Sequence, residues 1–219
     1  MNIIQRIRRR LFLCILLILL LAIISGCRSK TEIDQSFLTD LPCTAPCWYD
    51  LKVNKSTKAD VLTTLYQLPF VDKGTIHEYG TRWDEDDNAV EIYYECVDPR
   101  GSCGSLTLSE NHLKTIWMSV KYPITFKDAV KKLGEPEYLE YGVCNLRVPS
   151  CRVNLSWPEQ SIIVGADLEK IKFCDDIRVG QTIPSETQIT EIFYTVEESF
   201  ELEVGSCLHR LSWPGFSNP

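Results

Sequence analysis

The chain has 219 residues, of which 24% are charged and 44% are hydrophobic, and its formal net charge is −7. A chain of this length can form one large domain or two small ones. Its acidic balance argues against nucleic acid as a partner, and we predict none.

The N-terminal segment predicts export from the cytoplasm. Residues 1–10 contain four arginines and no acid, residues 11–24 are apolar throughout, and Ser25, Gly26 and Cys27 follow. A basic stretch, a short apolar stretch and small residues form the pattern of a secretory signal. As a helix the 14 apolar residues would span about 21 Å, which is short of the ~30 Å hydrocarbon core of a bilayer.

The stretch "ISGC", residues 24–27, resembles the lipobox of bacterial lipoproteins. The resemblance implies that Cys27 receives a diacylglycerol and becomes the mature N-terminus. We therefore expect a signal peptide at 1–26, a polar, flexible spacer at 27–40, and a lipid anchor on the extracytoplasmic face of a membrane. An uncleaved signal anchor is the alternative. Residues 9–13, "RRLFL", also resemble a twin-arginine export motif, so the export route stays open.

Eight of the ten cysteines follow residue 27, and an even number in an exported chain indicates disulfides. They are Cys43, Cys47, Cys96, Cys103, Cys144, Cys151, Cys174 and Cys207. Two C-x6-C segments lie between strand-like runs, which predicts the bonds Cys96–Cys103 and Cys144–Cys151 across hairpins. The remaining pairs are then Cys43–Cys47 and Cys174–Cys207. Because the three histidines lack zinc-ligand spacing, we predict neither a metal nor a cofactor.

Two segments predict capped helices of the same design. "TKADVLTTL" (57–65) and "TFKDAVKKL" (125–133) share the pattern T-x-x-D-x-x-x-x-L. A threonine at the N-cap and an acid three residues later form a capping box, and the acid suits the positive helix end. "GEP" (134–136) is expected to end the second helix.

Alternating β-branched and aromatic residues predict strands on both sides of each C-x6-C segment. "ITEIFYTV" (189–196) aligns with "LKTIWMSV" (113–120), so we interpret both as strands. The predicted fold class is α+β, with two tandem units at 41–121 and 122–219, the second with a C-terminal strand extension. Each unit is a short helical segment on a roughly four-stranded antiparallel sheet, stapled by disulfides.

This order resembles small exported proteins with BamE-like or beta-lactamase-inhibitor-like repeats, through the capped helix ending in "LGEP" and the meander after it. "PCTAPCWYDL" (42–51) also resembles uncharacterised bacterial lipoproteins. The resemblance implies a helix on one face of an antiparallel sheet and a habit of binding proteins. It implies no catalytic residue.

The octet C-x-x-x-L-S-W-P occurs twice, at 151–158 and 207–214. In a strand the leucine and tryptophan share a face, and proline ends the ladder. We expect both pairs to cover core surface. The alternative is that Trp157 and Trp213 are exposed and stack on a sugar or a protein partner.

The chain lacks the nucleophile elbow, the P-loop, the H-E-x-x-H motif and the dinucleotide fingerprint. We therefore predict a non-enzymatic binding or envelope-accessory lipoprotein, with a protein or an envelope polymer as its partner. The alternative is a thiol-redox lipoprotein using Cys43 and Cys47. "WDEDDN" (83–88) is interpreted as a solvated turn, with a weak calcium site as the alternative. The oligomeric state stays open.

Overall fold

The computed structural model describes residues 36–80, 89–97, 103–120, 122–143, 150–168, 172–178, 182–195 and 207–216. All of them belong to one compact unit, Glu32–Pro219. The predicted leader, Cys27, Cys144 and the acidic turn at 83–88 lie outside the described residues. Within the described ranges, no helix has the length and apolarity needed to cross a bilayer.

The helices are short. They are α1 (Ser36–Thr39), α2 (Lys58–Gln67), α3 (Phe126–Leu133) and α4 (Lys172–Arg178), with a 3-10 turn at Pro158–Gln160. Both predicted capping boxes are present: Thr57 caps α2 with Asp60, and Thr125 caps α3 with Asp128. The hydrogen bonds from Thr57 and Thr125 hold the pKa of each partner aspartate below its ordinary value.

Two antiparallel sheets contain the described strands. The small one pairs β1 (Cys47–Trp48) with β2 (Leu51–Lys52). The large one has nine strands in the order β11-β7-β8-β9-β10-β6-β5-β4-β3. Their bounds are β3 (Val71–Gly80), β4 (Val90–Cys96), β5 (Cys103–Ser109), β6 (His112–Ser119), β7 (Tyr138–Gly142), β8 (Cys151–Trp157), β9 (Ile162–Leu168), β10 (Glu191–Thr195) and β11 (His209–Ser212). The α+β class, the antiparallel sheet and the presence of disulfide bonds are therefore confirmed.

The two matched stretches "LKTIWMSV" and "ITEIFYTV" contribute β6 and β10, which pair at the centre of the sheet. The large sheet therefore runs without a break across the boundary predicted at residue 121. Each capped helix precedes four strands of this sheet along the chain: α2 precedes β3–β6, and α3 precedes β7–β10.

One face of the large sheet carries the helices. Val61 and Leu65 of α2 and Phe126 and Ala129 of α3 are buried in one hydrophobic cluster. Strand residues at alternate positions join that cluster, namely Ile92, Leu106, Ile116, Leu155, Val164 and Ile192. Because side chains alternate across a strand, the residues between them point to the opposite side, which we call the outer face.

The disulfides follow only part of the predicted pairing. Cys43 bonds Cys47, and Cys96 bonds Cys103, as the spacing predicts. The predicted bonds Cys144–Cys151 and Cys174–Cys207 are wrong, because Cys151 bonds Cys174, with a Cα separation of 5.5 Å. Cys207 is also disulfide-bonded.

The physical reason lies in the direction of the Cys151 side chain. Cys151 begins β8 on the side that carries the helices and has no solvent exposure. Helix α4 packs there and brings Cys174 onto it. The bond therefore joins the sheet to an overlying helix and does not cross a hairpin. Asp175 and Asp176 lie within this helix.

The predicted spacer at 27–40 is too long at its C-terminal end. Residues 36–39 form α1, and Phe37 is only 2% exposed within the main core cluster. One aromatic side chain in a polar stretch is enough to dock this turn, a contact that composition alone does not indicate.

Candidate functional site

Side chains on the outer face line up in rows across the strands. In one row, His77 lies opposite Tyr93, Tyr93 opposite Ser105, and Ser105 opposite Trp117. The row continues into β10, where Trp117 lies opposite Phe193. Directly opposite residues in antiparallel strands have neighbouring side chains, so aromatic rings recur along this row.

The adjacent row adds an exposed tyrosine and a carboxylate. Tyr79 lies opposite Glu91, and its side chain is 54% exposed. The rings of His77 and Tyr79 meet edge to face with centroids 6.4 Å apart. Glu95, two residues beyond Tyr93 on the same side of β4, is also exposed. The residues His77, Tyr79, Glu91, Tyr93, Glu95 and Trp117 are called the aromatic–acidic face below.

The row that begins at His77 changes from exposed at His77 to buried at Phe193. Tyr93 and Trp117 are half-buried, and His77 is exposed. Beyond Trp117 the row becomes closed, because Ile163 and Phe193 are buried in a small cluster of their own, against which Leu208 packs. The accessible side chains of this row therefore lie on β3, β4 and β6.

The acids of this face have no cation beside them within its own strands. β3–β6 contain two basic residues of the Lys/Arg type, and both point elsewhere. Lys73 donates to the main-chain carbonyls of Leu65 and Leu68 at the end of α2. Lys114 donates to Oδ1 of Asn54 at 3.1 Å. Within these described strands, the charged side chains of the aromatic–acidic face are therefore the carboxylates of Glu91 and Glu95.

The indole of Trp117 is held from the other half of the sheet. Its Nε1–H donates to Oε2 of Glu191 at 2.9 Å. The other oxygen of Glu191 forms an ion pair with Arg152, whose Nη1 also lies 3.6 Å from Oδ2 of Asp167. The arrangement fixes the orientation of the half-buried ring.

A second polar group lies buried beneath the outer face on β7, β8 and β11. Glu140 has no solvent exposure, and it accepts from Nε of Arg210 at 2.8 Å and from Oγ of Ser156 at 3.0 Å. Burial raises the pKa of Glu140, and the bonds from Ser156 and Arg210 offset part of that rise. Glu140 and Ser156 are buried and Arg210 is exposed, and together they link β7, β8 and β11.

Gly165 lies between these two polar groups because no side chain fits there. A Cβ atom on this residue would come within 2.8 Å of Oδ1 of Asn154 and 2.9 Å of Oε1 of Glu191. The glycine lets Glu191 keep the position from which it bonds Trp117.

The Cys43–Cys47 bond lies at a hairpin whose strand residues Trp48 and Leu51 are buried in the core. Trp48 has no solvent exposure, and its ring stacks on Tyr94 with centroids 5.9 Å apart. Cys47 is only 6% exposed. The sulfur atoms and the carboxylate of Asp50 lie within 4.8 Å of one another, but bonded sulfurs carry no thiolate for a metal. This geometry suits a structural staple better than the attacking thiol of a redox enzyme.

The two octets have different surroundings. Leu155 is completely buried and Trp157 is 3% exposed; Nε1–H of Trp157 donates to the carbonyl of Gly134 at 3.1 Å. Leu211 is 40% exposed, contrary to the core position expected for it. Trp213 is half-buried and meets Phe216 edge to face. The alternative of an exposed Trp157–Trp213 stacking pair is therefore wrong.

The sequence analysis did not identify the aromatic–acidic face. The sequence did contain a signal. His77 and Tyr79 lie two positions apart on β3, and further aromatic residues, Tyr93 and Trp117, lie on β4 and β6. Only the register between strands brings them together. No protein-family model matches the chain, and comparisons with curated proteins and with solved structures find no similar protein.

Proposed function

We propose that the chain is an extracytoplasmic, non-enzymatic binding module, anchored to its membrane by lipid on Cys27, and that the aromatic–acidic face receives a protein partner. The observation that carries the proposal is that exposed Tyr79 and half-buried Tyr93 and Trp117 lie on one face of the sheet. Tyrosine and tryptophan are enriched among the residues that dominate protein interfaces.

The compartment rests on two independent features. Three disulfides join described residues, and such bonds persist in oxidising compartments outside the cytoplasm. The leader and the "ISGC" stretch at 24–27 supply a route to that compartment and a site for the anchor. A binding role is favoured over thiol-redox chemistry because reduction of Cys43–Cys47 would loosen the hairpin that places Trp48 in the core.

The partner chemistry follows from the charge of the face. Glu91 and Glu95 flank the aromatic rings, and the whole chain is acidic. Arginine and lysine side chains interact favourably with both features, through ion pairs and through contact with ring faces. The partner is therefore a protein segment that presents basic residues.

The fold itself is proposed to consist of two tandem units, 41–121 and 122–219. The main-chain N–H of Leu113 donates to the carbonyl of Ser56, and that of Ile189 donates to the carbonyl of Ile124, both at 2.8 Å. Isolated bridges accompany them, Thr57 with His112 and Thr125 with Gln188. In the hydrogen bonds and in the bridges alike, the residue at the helix start in one unit lies 68 positions from its counterpart in the other. The strand residue lies 76 positions from its counterpart.

The register of β6 with β10 supports the same proposal. The sequence alignment matches Trp117 with Phe193, and these two residues lie opposite each other. The same alignment matches Ile116 with Ile192 and Met118 with Tyr194. It therefore converts the observed pair Ile116–Tyr194 into the other observed pair, Ile192–Met118. A two-fold relation between the units, with its axis at the Trp117–Phe193 pair, accounts for this pattern. In the second unit Phe193 and Ile163, which continue the row, are buried, and this favours the first unit as the binding half.

The anchor is tested by the mass of the mature N-terminus. We expect a chain that begins at Cys27 with diacylglycerol on its sulfur. A chain that retains residues 1–26, or an unmodified Cys27, would overturn the anchored part of the proposal and leave the binding face untouched.

The face is tested with a photo-crosslinking residue placed at Tyr79 in one variant and at Tyr66 in another, in cells that make the native chain. The two tyrosines are a matched pair, 54% and 57% exposed, with Tyr66 on helix α2 on the opposite side of the sheet. We expect a discrete product from position 79 alone. Glu91→Lys should abolish that product and Glu135→Lys should not. Equal yields from both positions would refute the face.

A further inference from the structure

A small apolar patch lies at the N-terminal end of the described chain. Leu38 and Leu41 are 41% and 67% exposed, and they are three residues apart. The neighbouring Phe37 points into the core and is 2% exposed. Helix α1 therefore docks on the body through one side chain and presents leucine to solvent on its other side.

The chain outside the structure limits where this patch can lie. Only residues 28–35 separate Cys27 from the first residue of α1. Eight residues reach at most about 28 Å when fully extended, and about 16 Å on average as a flexible chain. If Cys27 carries the lipid, as in the proposed function on which this inference rests, α1 cannot leave the neighbourhood of the bilayer surface.

The charges around the patch are compatible with lipid headgroups. Asp40 is paired with Nζ of Lys132, which also lies 5.8 Å from the ring centroid of Phe37. Lys131, at the end of α3, is exposed. The acid beside the leucines is therefore neutralised by its ion pair, and a lysine is free to approach phosphate groups.

We infer that Leu38 and Leu41 insert into the interfacial region of the bilayer and seat the body on the membrane surface. Two partly exposed leucines bind lipid too weakly to hold a free protein. A lipid anchor makes this weak contact sufficient. It holds the leucines close to the bilayer, so their effective concentration at the membrane surface is high. Each leucine is expected to raise the ratio of membrane-bound to unbound protein body about fivefold.

The experiment uses the full chain, lipidated on Cys27, in vesicles of phosphatidylcholine and phosphatidylglycerol. Amide hydrogen exchange across residues 36–42 is compared with that of the same chain in solution. We expect slower exchange in vesicles for the wild type, and loss of that difference for Leu38→Ser combined with Leu41→Ser. Tyr66→Ser serves as the control, because it removes an exposed aromatic residue from a different helix and should keep the protection.

A second arm separates this inference from the lipid proposal. A chain with Cys27→Ser is tethered through an N-terminal histidine tag to nickel-chelating lipid, so the body meets the bilayer without the native anchor. Slower amide exchange across residues 36–42 in this arm supports insertion of the leucines into the bilayer, even when mass analysis finds Cys27 unmodified. Equal exchange for wild type and double variant on vesicles overturns it. Protection that rises with protein density on the vesicle also overturns it, since that points to a second copy of the chain covering the leucines.

Discussion

At the scale of single residues, Glu140 shows how burial alters an ordinary side chain. Its carboxylate is closed to solvent, and its pKa is raised above the ordinary value of 4.5. Arg210 and Ser156 satisfy the two oxygens, so the group is tolerated despite the cost of burying charge. The same pair holds β11 against β7, because Arg210 lies directly opposite Glu140.

Glu140→Gln is expected to change how stability depends on pH. Because burial raises the folded-state pKa above the unfolded one, the folded protein binds more protons between the two values. The free energy of unfolding therefore falls as pH rises through that interval. Chemical denaturation should be measured from below pH 4.5 to neutrality. The free energy of unfolding of the variant should increase relative to that of the wild type as pH rises. Glu159→Gln, at an exposed site, is the control, and parallel wild-type and variant curves would contradict the assignment.

Trp157 and Trp213 show the limit of reasoning from a residue's immediate sequence. The two lie in identical L-S-W-P contexts, yet Trp157 is buried over the end of α3 and Trp213 is half-exposed after an edge strand. Strand β8 has a neighbour on both sides, whereas β11 has only β7. Burial was decided by the position of the strand in the sheet, and the tetrapeptide carries no information about that position.

At the scale of elements, the local signals were reliable. Both capping boxes were predicted from T-x-x-D alone, because the bonds of an N-cap reach only three residues along the chain. The strands β6 and β10 were predicted from their alternation and their mutual likeness. Helix α4 was missed: its seven residues include two adjacent aspartates, and it is held by Cys174 bonding β8 rather than by its own propensity.

The Cys151–Cys174 bond is expected to contribute more to the stability of the fold than the Cys96–Cys103 bond. It closes a loop with a sequence separation of 23, against 7 for Cys96–Cys103. By chain entropy, replacing both cysteines with alanine should lower the free energy of unfolding by about 3 kcal/mol, and the same change at Cys96 and Cys103 by about 2 kcal/mol. Denaturant unfolding of the two double variants measures this, and a larger loss at Cys96–Cys103 would contradict it.

At the scale of the whole molecule, the two halves share one sheet and one core. The main hydrophobic cluster contains residues from before and after residue 121, and β6 pairs with β10 in the middle of the sheet. A half-molecule would leave β6 as a long apolar edge with half of its packing missing, which is unstable in isolation.

A fragment of residues 41–121 is accordingly expected not to fold as a monomer. Circular dichroism during urea titration should show no cooperative transition for a monomeric species, with association state followed by analytical ultracentrifugation. The intact body, 28–219 without the lipid, provides the comparison and should unfold cooperatively. A monomeric fragment with a sharp transition would mean that each unit is an independent domain.

The sequence by itself determined the class of fold, the two helix starts, most of the strands and two of the disulfides, because each depends on periodicity or on contacts only a few residues apart. The tertiary structure alone decided that Cys151 bonds Cys174, that Trp157 is closed to solvent, and that His77, Tyr79, Tyr93 and Trp117 share one accessible face. These outcomes depend on the order and register of strands far apart in the chain, and a single sequence does not specify which strand lies beside which.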